Sequence, residues 1–335
     1  MIVALRRIIR DWTVFLLFSI FVLLFLFAEE IRTNSIFTKI PSSFFNVNTI
    51  FLSIILEAIP FILLGVFVSA IIQSFVSENA IQKILPRNAF LAIIPAALLG
   101  IIFPICECAV VPVIRRLIKK GMPSHVGIVF MLSAPIINPV VYASTYFAFK
   151  SSPDMANARM VVGFISSVII GMIIFRLFKG ENILKHRLDE HHHHDHPHQG
   201  RNKFLDTLYH ACDELFDTGK YLFIGAFLAS LFQAFFDRNT ILSLGTNTIF
   251  APGVMMGFAY VLSVCSSADA FVASSFGTTF TKGAILAFLV FGPMIDIKNT
   301  LMLFAYFKKK FVLKLLLVTP IVVYITVSVF QLLYL

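Results

Sequence analysis

Two thiols flank a carboxylate in the stretch Phe103-Pro104-Ile105-Cys106-Glu107-Cys108-Ala109-Val110-Val111-Pro112, with prolines on either side. Soft thiolates select thiophilic species such as zinc, copper(I) or trivalent arsenic compounds, and a neighbouring carboxylate adds negative charge. Successive helical residues point about 100° apart, so Cys106 and Cys108 share a face only if the backbone between them is extended. The flanking prolines predict such a non-helical tip. The plainer alternative is an inert packed pair of thiols, with Glu107 capping a half-helix. An acidic residue at membrane depth is nevertheless functional by default.

A weaker counterpart lies at Val264-Cys265-Ser266-Ser267-Ala268-Asp269. Its hydroxyls and carboxylate could ligate a cation, and its small residues would also permit close helix packing. Two further polar breaks occur in apolar runs, Ala134-Pro135-Ile136-Ile137-Asn138-Pro139 and Gly292-Pro293-Met294-Ile295-Asp296-Ile297-Lys298-Asn299. Proline frees backbone carbonyls there, and Asn138 and Asp296 can meet them or an ion. Asp296 and Lys298 could instead simply pair. The candidate substrate-binding set is therefore Cys106, Glu107, Cys108, Asn138, Cys265, Ser266, Asp269 and Asp296. Glu57, before Pro60, reads as one turn inside a span, coupling protons or snorkelling to the surface. The tract His191, His192, His193, His194, His196 and His198, with Asp189, Glu190 and Asp195, has the composition of a labile zinc- or nickel-binding loop, or of a solvated linker with incidental metal affinity.

These residues need elements that hold them in a bilayer. Hydrophobic residues make up 58% of the 335-residue chain and charged residues only 13%, about half the share in soluble domains. Several runs exceed the ~20 apolar residues that span a hydrocarbon core. The net charge of +9 gathers at the edges of apolar runs, at Arg6, Arg7 and Arg10, at Arg115, Arg116, Lys119 and Lys120, and at Lys308, Lys309 and Lys310. That is the signature of cytoplasmic helix ends rather than of a nucleic-acid partner. Four cysteines make no disulfide framework, and Cys212 lies outside the apolar runs. No phosphate-binding glycine loop or nucleophile–base set is evident, so no enzyme activity and no cofactor are expected.

The chain repeats itself. Gly65, Phe67, Gln73, Phe75 and Asn79 match Gly225, Phe227, Gln233, Phe235 and Asn239 at an offset of 160. Cys106 then faces Cys265, Pro135 faces Pro293 and Asn138 faces Asp296 at nearly the same offset. With the N-terminus inside, the charges place a first helix from about Trp12 to Ala28, then three spans and one re-entrant hairpin per half. The Cys-Glu-Cys stretch is the tip of the first hairpin, entered from the cytoplasm. An odd number of spans per half inverts one repeat relative to the other. The expected fold is thus an all-α polytopic membrane protein of two inverted repeats with re-entrant hairpins plus one extra N-terminal helix. Its expected divisions are 1–47 (first helix and outer loop), 48–178 (first repeat), 179–218 (cytoplasmic His-rich linker) and 219–335 (second repeat). Interrupted helices at matching positions of inverted repeats mark the substrate site of secondary transporters.

These motifs also resemble a known family. The Cys106-x-Cys108-x-x-x-Pro112 element, the Arg-Arg-Leu-Ile-Lys-Lys-Gly after it, Ala134–Pro139, Cys265–Phe271 and Gly292–Asn299 are similar to those of the predicted permeases that include the organoarsenical efflux permeases. The resemblance covers roughly residues 51–307. It implies a bacterial inner-membrane permease that works beside a second small membrane protein. Glu107 and the His-rich loop suggest a branch other than the arsenical exporters. Composition, repeat and resemblance together predict a multi-pass plasma-membrane transporter, with the lipid bilayer around it and its N-terminus and His-rich loop in the cytoplasm. The expected substrate is a divalent metal ion or a trivalent arsenical. The competing expectation is a non-transporting subunit, or a metal sensor or scaffold.

Overall fold

The computed structural model describes residues 42–75, 89–102, 105–150, 152–179, 181–185, 203–235, 250–277 and 279–334, together with Ser19 and Leu23. The expected first helix near Trp12, Lys83, Arg87, Phe103, Pro104 and the histidine tract lie outside the described residues. The described residues form twelve helices: α1 (Ser42–Phe75), α2 (Ala89–Ile102), α3 (Glu107–Lys119), α4 (Ser124–Ser133), α5 (Pro139–Ala148), α6 (Asp154–Leu177), α7 (Lys203–Phe235), α8 (Ala251–Leu262), α9 (Asp269–Ser274), α10 (Lys282–Met294), α11 (Ile297–Tyr306) and α12 (Lys309–Tyr334). Among them, Asn46–Ile71, Asp154–Leu177, Lys282–Tyr306 and Lys309–Tyr334 are long and apolar enough to cross a bilayer. The molecule is an all-α polytopic membrane protein.

Six elements recur in the same order, α1–α6 and α7–α12. The helix breaks follow from local chemistry. Pro135 cannot continue α4, and Asn138 starts α5 by accepting the Val140 N–H at 2.9 Å, with Pro139 in the first turn. Pro293 ends α10, and Asp296 starts α11 by accepting the Asn299 N–H at 2.6 Å. Pro112 differs from expectation. It lies inside α3 rather than closing a non-helical tip, and its missing N–H frees the Cys108 carbonyl from the helical ladder. The extended part of the tip is Ile105 and Cys106, the latter with φ −77° and ψ 167°.

The two halves run in opposite senses. Lys119, Lys179 and Lys185 line one depression with Ser124 and His125, at one end of the bundle. The Lys308 N–H donates to Ile183 O at 2.9 Å and the Lys185 N–H to Tyr306 O at 3.0 Å, bringing the α11–α12 junction to that same end. The Arg115 guanidinium stands 4.6 Å over the Tyr306 ring. Asp154, Lys282 and Tyr334 meet at the other end. Hence α4–α5 and α12 leave the basic end, whereas α6 and α10–α11 run towards it. Ser166 of α6 and Thr326 of α12 share a 2.7 Å hydrogen bond where the helices cross.

Much of the packing obeys a pseudo-twofold that relates the halves. The pairs α2 on α4, α2 on α6, α3 on α4 and α3 on α11 have counterparts in α8 on α10, α8 on α12, α9 on α10 and α9 on α5. The long helices α1 and α7 pack on each other, but α1 then lies on α3 and α7 on α11. Both therefore cover one side of the bundle.

Candidate functional site

The start of α3 is the centre of the site. Cys106 precedes the helix in extended conformation and Cys108 lies in its first turn, and both line the same cavity. Glu107 is 1% exposed, and neither of its carboxylate oxygens has a hydrogen-bond partner among the described residues. A helix start favours a carboxylate electrostatically. Burying one without hydrogen bonds is nonetheless expensive, and such a group in a native fold calls for a reason.

Cys106, Glu107, Cys108, Cys265 and Lys298 line one cavity of about 10 Å³, closed from the α1 side by Ile54, Glu57, Ala58 and Phe61. A single water needs about that much room, so a hydrated ion does not fit this conformer. Among the described residues no three of His, Cys, Asp and Glu are disposed to share a metal ion. The Cys265 and Ser267 side chains contact each other at 3.4 Å.

Two repeat-matched glycines bring α1 and α7 close to the elements of the site. A Cβ at Gly65 would overlap the Cβ and Cα of Ala109 on α3, and one at Gly225 would come within 2.8 Å of the Lys298 Cα on α11. Only glycine allows both approaches. Helices α1 and α7 thus press directly on the two elements that carry the thiols and the lysine.

The remaining sequence candidates have other partners. Asn138 spends its side-chain oxygen on capping α5. Asp296 caps α11 with one oxygen, and with the other accepts from Ser263 Oγ at 2.5 Å and faces Lys298 Nζ at 3.7 Å. Asp269 pairs with Arg159 at 2.7 Å, and the same guanidinium donates to Thr145 Oγ1 at 2.8 Å and to the Ser266 carbonyl at 3.1 Å. Ser266 is buried. Glu57 is mid-helix rather than one turn inside, because α1 begins at Ser42, and it reaches the cavity. Arg159 was invisible to sequence reasoning because it precedes the apolar run of α6 and reads as a helix-end cation. The signal was its setting between Ala158 and Met160, already past the start of α6 at Asp154. Lys298 was recognisable as a charge in a break, but not as a member of the thiol site.

Residues 43–332 match the ArsP_1 family model, described as a predicted permease. "UPF0718 protein YcgR" of Bacillus subtilis (strain 168) is 51% identical over 284 residues, covering 84% of this chain and 95% of that protein. A Streptococcus mutans protein named "Putative two-component membrane permease complex subunit" is 41% identical over 281 residues, covering 84% of this chain and 93% of its own length. A more distant archaeal relative, "UPF0718 protein MJ0584" of Methanocaldococcus jannaschii, is 26% identical over 135 residues, covering 40% of this chain and 36% of that protein. No solved structure matches. A multi-pass helical bundle, a match over nearly its whole length and relatives of near-equal extent lead to one conclusion: the chain belongs to the ArsP_1 family of predicted permeases.

Proposed function

We propose that this permease is a secondary transporter for a thiophilic substrate, a divalent metal ion or a trivalent arsenical, and that the cavity around Cys106, Glu107, Cys108 and Cys265 is its substrate site. One observation carries the reading. Motifs from two inverted halves converge on a single buried cavity that contains a carboxylate without a partner. Residues 48–178 and 219–335 serve as the two transmembrane repeats, joined by the His-rich linker. Substrate access requires α1 to leave α3, and the one-sided placement of α1 and α7 supports an alternating mechanism in which they change sides. The Streptococcus mutans relative's name favours a second membrane protein beside this chain. That partner also leaves room for a second reading, a subunit that senses a thiophile without moving it.

Reconstitution decides between them. Proteoliposomes carrying the full chain, with and without its partner, should move zinc or a trivalent arsenical, and Cys106→Ser should lower the rate by about tenfold or more, since one thiolate ligand is lost. If neither probe crosses and Cys106→Ser leaves every phenotype intact, the transporter-site reading fails.

The same proposal sets the basic end in the cytoplasm of a bacterial plasma membrane, following the positive-inside rule. Lys119 is exposed at that end. In a Cys212→Ser background, Lys119→Cys should react with an impermeant maleimide in inside-out vesicles only. Reaction in intact cells would reverse the orientation and remove the cytoplasmic entry of the Cys-Glu-Cys tip.

A further inference from the structure

The substrate site already holds a cation of the protein's own. Lys298 is 3% exposed and lines the cavity with the three thiols and Glu107. Its position is not explained by the helix it belongs to. Lys298 lies in the first turn of α11, where the helix dipole disfavours positive charge. Asp296 is only a partial partner: its Oδ2 pairs with Lys298 Nζ at 3.7 Å, longer than a hydrogen bond, and it also accepts from Asn299 N and Ser263 Oγ. The backbone of Lys298 is held by the close approach of Gly225, so the flexible part is the four-carbon stem and its ammonium.

We propose that Lys298 is a tethered counter-cation that occupies the empty site and is displaced by a cationic substrate, and so determines specificity. The inference rests on the substrate-site reading above and narrows its substrate class to a thiophilic metal cation. The space left beside the ammonium is about 10 Å³, one water's room, so a metal ion that brings any of its water enters only if the ammonium moves. Binding is therefore an exchange. The metal ion takes the thiols and Glu107, and the ammonium moves out of the cavity, closing its 3.7 Å gap to Asp296. On release the ammonium returns, which keeps Glu107 compensated and prevents the metal from being held too tightly to leave. The exchange also accounts for the absence, among the described residues of this conformer, of any three metal-ligating side chains in register. A neutral thiophile meets no like charge and has no cation to displace.

Purified full chain is titrated with cadmium ions alone, followed by cadmium–thiolate charge-transfer absorption, and separately with a neutral trivalent phenylarsenical. Lys298→Met should tighten cadmium binding at least about tenfold, because a like charge is removed at short range, and should slow cadmium release from proteoliposomes. Lys298→Arg keeps the charge and should bind cadmium no more tightly than the natural protein. Neither substitution should tighten the neutral arsenical. If Lys298→Met does not fold, Lys298→Gln against Lys298→Arg makes the same comparison. Unchanged or weaker cadmium binding in the uncharged variants, with Cys106→Ser still abolishing the signal, overturns the counter-cation while the site survives. A cadmium signal that persists undiminished in Cys106→Ser removes the site itself, and the counter-cation with it.

Discussion

Arg159→Met is expected to destabilise the protein by about 3–5 kcal/mol, the usual cost of removing one partner from a buried ion pair. Asp269 would be left 3% exposed with its countercharge gone, since Arg159 holds its Oδ2 at 2.7 Å. The same deletion unties Thr145 on α5 and the Ser266 carbonyl before α9. Three elements of the two halves therefore loosen together. Double replacement, Arg159→Met with Asp269→Leu, should recover most of the loss, because two apolar groups of similar volume need no desolvation. Melting curves in detergent, followed by circular dichroism, measure both steps. Transport by the double variant then separates two roles for Asp269. A folded and active double variant makes the pair a strut. A folded but inactive one places Asp269 in the transport cycle, as the sequence motif suggests. A single variant that melts like the natural protein would contradict the whole account.

Most element positions were legible in the sequence to within a few residues, but α7 starts at Lys203, inside the stretch 179–218 read as a linker, because its first turns are polar. The broken runs at Pro135 and Pro293 became α4–α5 and α10–α11, because proline chemistry and caps are local. The inverted repeat was legible through Gly65 and Gly225, whose identity reflects a close backbone approach that no side chain permits. The site was only partly legible. Cys106, Glu107, Cys108 and Cys265 meet as the repeat suggests, but Lys298 joins them through the approach of α11 to α3, which no local pattern encodes. Glu57 was misplaced because apolar composition marks where a span is greasy, not where its helix begins. Helix α1 begins at Ser42, about one turn ahead of the apolar span Asn46–Ile71, which places Glu57 at mid-helix. Arg159 and Asp269 found each other across 110 residues, a pairing visible only once α6 and α9 pack.

The side chosen by α1 and α7 leads to the second large effect. The pseudo-twofold that relates much of the packing maps α1 on α3 to α7 on α9, and α7 on α11 to α1 on α5. Neither mapped contact is among the substantial ones in this conformer. In the alternating cycle proposed above, the other state would place α1 and α7 on the opposite side of the bundle. The repeat offset names the contacts of the other state. Gly225 packs here on Lys298, whose counterpart is Val140, so Gly65 should pack there on Val140. Val140 is 57% exposed, as a surface awaiting that helix would be, and Leu64 beside Gly65 is 50% exposed. In a Cys212→Ser background, Leu64→Cys with Val140→Cys should therefore be joined by a short bismaleimide only during turnover, and the joined protein should lose about tenfold or more of its transport, because interconversion of the two states is blocked. The link should form faster when substrate is present, since a ligand shifts the populations it binds unequally. Equal rates with and without substrate, or a joined protein that still transports, would show that α1 and α7 stay where they are, and that the cavity opens by some smaller displacement of α1 from Ala109.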